Sequence, residues 1–344
     1  CRRASDMAGI SEGEVAVYDR QLRLWGVQAQ KRLLQAKVLI WGMEGCNVEA
    51  CKNLVLAGVS LTIRDHRITD DAAVAFNYFL RLEDSGQNRA ERAATRVQEL
   101  NPLCTVSSSS APPDEVGDAA ALRKAMEVFD VVILSFGVLG FDTAKACAVD
   151  AACREGNSCF LMTVTSGELA FFFSDLQKHT MQERSVAQGA QTDATAQATA
   201  EPEEFDFPSL EAWMQCAPAD LQKAKTDDSV LLVALFLAFS RSQQASPDAA
   251  GKFEDFCTNE AKCVPKVDGM PDLKHAYACF FLEPIMAVAS VLAGLLSQEV
   301  IKAITKKDPP LSNSVCFNAH TSVALVERIP AAPKVLKRKA EEVV

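Results

Sequence analysis

The sequence predicts a doubly wound α/β fold with a mostly parallel sheet and a helical insertion. Residues 37–42, 59–65, 129–135 and 158–164 are short apolar runs with the length and flanking turns of buried strands. Amphipathic or alanine-rich segments separate these runs, and alternating strands and helices are typical of a parallel sheet. With 344 residues, the chain can bury one large core and also carry an insertion.

The first strand, turn, helix and strand lie between residues 37 and 65. The strand ends in a turn at Gly42, and an amphipathic helix is predicted from Val48 with Gly58 as its C-terminal cap. The second strand ends at Asp65. In dinucleotide-binding proteins a carboxylate at this point hydrogen-bonds a ribose hydroxyl, so Asp65 lies where a nucleotide site would need it.

The turn of this unit departs from the glycine-rich phosphate-binding pattern. That pattern would place glycine at positions 42, 44 and 47, but the sequence has Gly42, Glu44 and Asn47, with Gly45 between them. The second glycine normally lets the backbone approach the phosphates, and a carboxylate there repels their charge. The unit therefore predicts either a degenerate Rossmann-like nucleotide pocket or an ordinary tight turn in a parallel-sheet core.

The segment from Tyr18 to Leu33, which we call the entrance segment, resembles the start of the ubiquitin-like-activating enzymes. Within that family the chain is most similar to the small subunits of SUMO-activating enzymes, over residues 10–174 and 205–328. This resemblance implies the ubiquitin-activating adenylation fold. The matching segments are residues 10–12, 18–26, 29–33, 52–59, 61–62, 65–66, 88–91, 101–102, 289–304, 308–310 and 314–318.

Active members of the family adenylate the C-terminal glycine of a ubiquitin-like protein with ATP and magnesium. Against them, residues 76–81 give a shortened phosphate arm, and Arg89 stands where the active enzymes have lysine. Residues 135–138 lack the aspartate that holds magnesium. The resemblance thus implies a degenerate pocket, formed by Gly42, Gly45, Asp65 and Arg89, that does not adenylate by itself.

The resemblance gives Arg20 a different role. In the family, the equivalent arginine crosses the dimer interface and contacts the triphosphate held by the other subunit, and a guanidinium can bond two phosphate oxygens at once. The alternative is that Arg20 only pairs with Asp19 or another surface group. Gly294 is expected to allow close helix packing. The residues implied at the interface are Arg23, Trp25, Gly294 and Gln298.

These implied roles also define the partners and cofactors. ATP, magnesium, a structural zinc and the catalytic cysteine are expected in the large catalytic subunit of a heterodimer that activates SUMO, with no cofactor or metal in this chain. The net charge of −10 disfavours nucleic acid as a partner.

Two alternative functions remain open. One is a self-contained homodimeric adenylyltransferase of the sulfur-carrier type. The other is the regulatory subunit of the NEDD8-activating enzyme, which is considerably longer.

The 12 cysteines include no Cys-x-x-Cys pair, which predicts reduced thiols of an intracellular protein. The expected location is the nucleus and the cytoplasm. Cys257 and Cys263 are too loosely spaced to suggest a zinc site. Cys257, which threonine follows, could be a nucleophile or an inert thiol. No basic residue that would lower its pKa is identifiable from the sequence, which favours the inert thiol.

The predicted organisation has four parts. They are a pseudo-adenylation domain at 1–174, an insertion at 175–275 with a disordered loop at 182–204, a return to the main fold at 276–330, and a flexible tail at 331–344. The tail carries a basic cluster, residues 334–339, that suggests a nuclear localisation signal or a solvated terminus. Glu283 and Pro284 interrupt the apolar run at 276–296, which predicts two packed segments and no membrane span.

Overall fold

A computed structural model describes residues 10–181, 203–243 and 245–330. Its main feature is an eight-stranded sheet with helices on both faces, accompanied by a two-stranded sheet. The strands are β1 (Lys37–Trp41), β2 (Ser60–Arg64), β3 (Val106–Ser109), β4 (Val131–Ser135), β5 (Cys159–Ser166), β6 (Leu169–Asp175), β7 (Lys178–Met181), β8 (Glu203–Asp206), β9 (Ser314–Asn318) and β10 (Val323–Glu327).

The large sheet has the order β10-β9-β6-β5-β4-β1-β2-β3. The run from β3 to β5 is parallel, and β6, β9 and β10 extend it as antiparallel strands. The predicted doubly wound, mostly parallel α/β fold is therefore confirmed. The chain passes from β1 to β2 and β3 on one side of β1 and then crosses back to β4 on the other side, which opens a crevice beyond the carboxyl ends of β1 and β4.

The helices mostly begin at side chains that cap them. Ser11, for example, accepts a hydrogen bond from the Glu14 amide while the Glu14 carboxylate accepts one from the Ser11 amide. The helices are α1 (Glu12–Trp25), α2 (Val27–Gln35), α3 (Cys46–Leu56), α4 (Asp71–Phe76), α5 (Arg89–Leu100), α6 (Ala119–Met126), α7 (Thr143–Gly156), α8 (Leu210–Met214), α9 (Pro218–Lys223), α10 (Asp228–Ser242), α11 (Ala250–Asp255), α12 (Leu273–Cys279) and α13 (Met286–Thr305).

Two hydrophobic clusters cover the two faces of the sheet. Because side chains alternate along a strand, Leu39 and Trp41 of β1 enter one cluster, and Val38 and Ile40 enter the other. The first cluster contains apolar residues of α6, α7 and α10, and the second contains those of α2, α3, α5 and α13. Central strands buried on both faces are contiguous apolar runs, which is why the sequence predicted them.

The helices between residues 210 and 279 belong to the first of these clusters. Helix α10 is buried on nearly every side, and Trp213 Nε1 donates to Ser314 Oγ of β9 at 2.8 Å. Thr143 Oγ1 of α7 donates to the Leu237 carbonyl at 3.2 Å. The predicted helical insertion is confirmed as helical, whereas its domain boundaries stay a prediction.

Two expectations from the sequence, the extent of the predicted loop and the packing at Gly294, need correction. Two predicted segments lie largely or wholly outside the described residues. Residues 203–206 form β8, which pairs with β7, so the predicted loop at 182–204 extends too far. The rest of that loop and the basic cluster at 334–339 lie outside the described residues. Gly294 was expected to allow close packing, but a Cβ added there would meet nothing within 4 Å. The contact between α3 and α13 instead includes a hydrogen bond from Asn53 Nδ2 to Ser297 Oγ at 3.2 Å.

The predicted interruption at Glu283 and Pro284 is confirmed, because α12 ends before these residues and α13 begins after them. Helix α13 is long and apolar enough by composition to cross a membrane, and it is the one such helix among the described residues. In the structure 56% of its most apolar window is buried within the protein. Its length and composition are therefore equally those of a core helix.

Asp84 provides a test of the ion pairs that fasten the segment before α5. Its side chain is fully buried and accepts hydrogen bonds from Arg96 at 2.5 Å and Arg92 at 2.7 Å. Asp84→Asn is expected to lower the free energy of unfolding by about 3 kcal/mol at pH 7, because it leaves guanidinium groups without their buried counter-charge. Urea denaturation measures this loss.

The loss should shrink at low pH. Bonding to Arg96, and then to Arg92, lowers the pKa of Asp84 to about 2, below the unfolded value of about 3.9. The stabilisation is therefore present above about pH 4 and disappears as the pH falls towards about 2. Glu83→Gln is the control, since the 75% exposed Glu83 pairs with the same Arg96 and should contribute less than about 0.5 kcal/mol. Equal losses for the two variants would contradict this assignment.

Candidate functional site

The candidate site lies in the crevice beyond β1 and β4, where a tight turn leads into α3. Both of its glycines have positive φ angles, 94° at Gly42 and 50° at Gly45. A Cβ on Gly42 would lie 2.8 Å from Ser135 Cβ, and one on Gly45 would lie 2.7 Å from Thr165 Cβ. Helix α3 begins directly after Gly45, two residues earlier than predicted from Val48. The turn therefore packs closely against β4 and β5.

Asn47 occupies the place of the third glycine of the phosphate-binding pattern. It is fully buried, and its Nδ2 donates to the Gly42 carbonyl at 2.9 Å. Its Oδ1 accepts a hydrogen bond from Thr163 Oγ1 of β5 at 3.1 Å. Since the amide side chain is bonded on both sides, it ties the first turn of α3 to the sheet.

Glu44 occupies the place of the second glycine and closes the crevice. Its Oε2 accepts a hydrogen bond from Arg67 Nη1 at 2.5 Å, and its Oε1 accepts one from Ser135 Oγ at 2.5 Å. The same oxygen, Oε1, lies 2.8 Å from where a Cβ on Gly137 would be. The glutamate thus spans from the β2 side of the crevice to the β4 side, across the opening that a nucleotide would need.

Asp65 ends β2 as predicted, but its carboxylate already has partners. Oδ2 accepts from the Met43 amide at 2.8 Å and Arg67 Nη2 at 2.7 Å, while Oδ1 accepts from Arg67 Nε at 3.0 Å. Burial opposes ionisation, but these bonds hold the pKa of Asp65 below its usual range. Burial likewise acts to lower the pKa of Arg67, but Glu44 and then Asp65 raise it. Both groups are therefore charged.

Arg67 is the residue that the sequence analysis missed. Its guanidinium bridges Asp65 and Glu44, in the place where the ribose and phosphates of a nucleotide would be expected. The available signal was charge: a carboxylate has replaced the second glycine of the pattern, and a basic residue follows Asp65 by two positions. An acidic and a basic residue in one crevice suggest an internal ion pair.

The space left in the crevice is a cavity of about 170 Å³. Pockets that hold drug-sized ligands occupy about 300–1,000 Å³, so this cavity is smaller than the usual range. Arg89 lines the cavity, but its guanidinium donates to the Ile68 carbonyl at 3.0 Å and Asp70 Oδ1 at 3.3 Å. Arg81, from the predicted phosphate arm, donates to the Tyr78 carbonyl at 2.5 Å. Neither arginine is directed at a vacant phosphate site.

The two cysteines singled out from the sequence, Cys257 and Cys263, are not activated thiols. Cys257 is fully buried, and burial raises its pKa to about 12. Burial also raises the pKa of Cys263. A thiol with a raised pKa is rarely ionised at neutral pH, which makes Cys257 a poor nucleophile. Over residues 10–181, 203–243 and 245–330, no three His, Cys, Asp or Glu side chains converge as metal ligands.

Arg20 lies on the exposed face of α1. Its predicted alternative partner, Asp19, instead forms an ion pair with Arg23 one turn later, at 2.9 Å. Asp19 thus has a partner other than Arg20, and the choice between a role in trans and a surface role for Arg20 stays a prediction. Val17 and Leu24, at helical spacing on either side of Arg20, are 61% and 68% exposed. Arg20 thus projects from an apolar strip, Val17–Arg20–Leu24, on the surface of α1.

The remaining predicted interface residues lie on α1 and α13. Trp25 is half-buried against the second hydrophobic cluster, and Arg23 is occupied by Asp19. Gln298 is exposed and Gly294 is half-buried, on the face of α13 where Val291 is 46% exposed. An interface role for Arg23, Trp25, Gly294 and Gln298 stays a prediction.

The closed crevice predicts that the isolated chain binds ATP poorly. We expect no saturable binding of ATP with magnesium up to about 1 mM, because the cavity is too small and Arg67 already has two counter-ions. Isothermal titration calorimetry measures this. Glu44→Gly should not restore tight binding, because Asp65 still holds Arg67 in the crevice. Micromolar binding that Arg67→Ala alters would contradict this interpretation.

The chain is similar to known proteins in sequence and in fold. SUMO-activating enzyme subunit 1 of Xenopus tropicalis is 29% identical over 93% of this chain and 97% of that protein. The subunit 1 of Homo sapiens is 29% identical over 93% and 96%, respectively. A solved structure of PaaA superposes with a TM-score of 0.54 at 15% identity, covering 94% of this chain and 75% of PaaA. Escherichia coli MccB with succinimide gives 0.54 at 16% identity, covering 92% and 73%.

At such low identity these two structures support the fold alone. A model of the ThiF family matches residues 18–337, from the entrance segment to beyond β10. The match includes the crevice, the sheet and α13. Because it spans nearly all of the sequence, the chain belongs to the ThiF family.

Proposed function

We propose that this chain is the non-thioester subunit of a heterodimeric SUMO-activating enzyme, and that it is not active alone. In this proposal the large catalytic subunit holds ATP and magnesium and adenylates the C-terminus of SUMO. This chain completes the heterodimer and donates Arg20 to the partner's triphosphate. The observation that carries the proposal is the pairing of a closed nucleotide crevice with an exposed arginine on an apolar strip.

The closed crevice favours a role in which this chain assists its partner and does not carry out adenylation by itself. Glu44, Arg67 and Asp65 satisfy one another's charges, so nothing in the crevice is left to neutralise a triphosphate. Ser135 stands where a magnesium ligand would be expected, and its hydroxyl donates to Glu44. A neutral hydroxyl does not supply the carboxylate charge through which proteins usually bind magnesium. The fold is retained without the groups that adenylation requires.

The strip Val17–Arg20–Leu24 supports a partner surface on α1. Two large aliphatic side chains more than 60% exposed on one helical face would be covered in a heterodimer. Arg20 lies between them, and its side chain makes no hydrogen bond or ion pair within the described part of the chain. An arginine surrounded by apolar side chains loses water when the partner docks, which strengthens its attraction to phosphate oxygens.

Arg20 would then act through charge and geometry. Its guanidinium is charged at all physiological pH values and can donate two parallel hydrogen bonds to phosphate oxygens. Negative charge shifts onto the leaving pyrophosphate as the SUMO carboxylate attacks the α-phosphate. A cation fixed against that charge lowers the barrier. A homodimeric adenylyltransferase would need the crevice of this chain to accept ATP, which the crevice geometry disfavours.

SUMO-dependent ATP–pyrophosphate exchange tests the proposal. We expect exchange by the mixture of this chain and the large subunit, and none by this chain alone. Arg20→Ala should lower exchange by at least about 100-fold, as expected for an arginine that stabilises phosphoryl charge in trans. Arg123→Ala is the matched control, since Arg123 is an exposed arginine on α6. Robust exchange by the chain alone would support the homodimeric adenylyltransferase instead.

The apolar strip gives a second prediction that does not depend on catalysis. Leu24→Asp should weaken assembly with the large subunit by at least about 10-fold in Kd, because it buries an unpaired carboxylate in the interface. Analytical ultracentrifugation of the mixture measures this. Val128→Asp, at a residue that is 56% exposed after α6, is the control and should leave Kd unchanged. If Leu24→Asp and the unaltered chain bind the large subunit with equal affinity, the interface lies elsewhere.

A further inference from the structure

The C-terminal end of α3 is held by side chains of the entrance segment. The last carbonyls of a helix have no partner within the helix, so other groups must bond them. Gln21 Nε2 donates to the Leu56 carbonyl at 3.1 Å, and Gln30 Nε2 donates to the Ala57 carbonyl at 3.0 Å. Because these bonds have a defined direction, they fix α1 and α2 more tightly than apolar contact alone would.

Tyr18 is the central residue of this contact. It is fully buried, and its hydroxyl oxygen accepts a hydrogen bond from Asn101 Nδ2 at 2.7 Å. Asn101 Nδ2 also donates to the Val55 carbonyl at 2.7 Å, which links Tyr18 to the end of α3. The ring packs against Gly58, where an added Cβ would lie 3.2 Å from Tyr18 Cζ. Helix α1 kinks at Tyr18, with φ −99° and ψ 15°.

The helix geometry relates this buried residue to Arg20. Successive residues of an α-helix are rotated by about 100°, so a side chain two positions further along points about 200° away. Tyr18 is fully buried and Arg20 is exposed, so the two side chains lie on opposite sides of α1. A rotation or shift of α1 about its buried side would move the Arg20 guanidinium directly.

We infer that Tyr18 is a positioning residue for Arg20, acting through its hydrogen bond from Asn101 and its packing against Gly58. The inference rests on the proposed role of Arg20 in trans. Tyr18 touches neither nucleotide nor SUMO; it sets the rotation of α1 and hence the place at which the guanidinium meets the partner's triphosphate. Small displacements of a charge-stabilising group reduce the rate without necessarily weakening substrate binding.

A double-mutant cycle in the assembled heterodimer tests this inference by ATP–pyrophosphate exchange. Tyr18→Phe keeps the ring but removes the hydroxyl, and we expect kcat to fall about fivefold, because a displaced guanidinium stabilises the phosphate charge less well. KM for SUMO should be unchanged. When Arg20 is already alanine, Tyr18→Phe should change kcat by less than about 1.5-fold, because the two residues act through one guanidinium.

Tyr277→Phe is the matched control, because the buried Tyr277 hydroxyl donates to the Ser246 carbonyl at 2.8 Å, far along the chain from α1. It should leave kcat unchanged. An equal loss from Tyr18→Phe in both backgrounds, or no loss in either, would overturn the positioning role. If Arg20→Ala itself leaves exchange intact, the proposed function fails, whatever the result at Tyr18.

A second variant keeps the inference testable if Tyr18→Phe impairs assembly of the heterodimer. Gln21→Met removes the bond to the Leu56 carbonyl while keeping a side chain of similar length. It lies on the same buried side of α1 as Tyr18, so its effect on kcat should also vanish in the Arg20→Ala background. A loss of kcat that persists there would overturn the inference.

Discussion

The charge balance around Arg67 determines what the crevice of this protein can do. Asp65 is fully buried, and Arg67 is its main counter-charge. Displacing Arg67 would leave a buried carboxylate without its partner, which costs several kcal/mol in proteins. A nucleotide entering the crevice would add phosphate charge beside Asp65 and Glu44 at the same time. The crevice is therefore closed by its own electrostatics, and the small remaining cavity is a consequence of that closure.

Most of the fold could be predicted because its strands are buried on both faces. Such strands are contiguous apolar runs, so β1, β4 and β5 were visible without any partner information. Helix α10 is apolar all round for the same reason, since packing covers it on nearly every side. The limits of these elements were less predictable. Glu203–Asp206 became a strand only because β7 lies beside it, and composition does not encode that neighbour.

The site could be predicted only in part, because a residue's role there depends on what faces it. The departures at Glu44 and Asn47 indicated a degenerate pocket from the sequence alone. That Arg67 fills it depends on a contact across 23 positions, between Glu44 and Arg67, which no local pattern reveals. Gly294 shows the same limit. A glycine in a buried-looking helix suggested close packing, yet its missing side chain faces open space.

Helix α3 connects the closed crevice with the exposed arginine. At its N-terminus, where related folds bind phosphate, the Cys46 amide donates to Thr165 Oγ1 at 3.3 Å and the Asn47 amide donates to the Glu44 carbonyl at 3.0 Å. Protein atoms thus take the bonds that an anion would otherwise accept. At its C-terminus, the entrance segment bonds the Leu56 and Ala57 carbonyls.

A helix whose terminal groups are bonded by protein atoms has fewer groups to offer a ligand, but it is well suited to hold another element rigidly. The N-terminal end of α3 is bonded within the turn and to β5, whereas the C-terminal end fixes α1. Substitutions at Glu44 and Asn47 could therefore accumulate without moving Arg20, because the contacts of Tyr18 and Gln21 lie at the other end of α3. Because of this separation, a subunit without a nucleotide site of its own could keep the surface that would contact the nucleotide site of its partner.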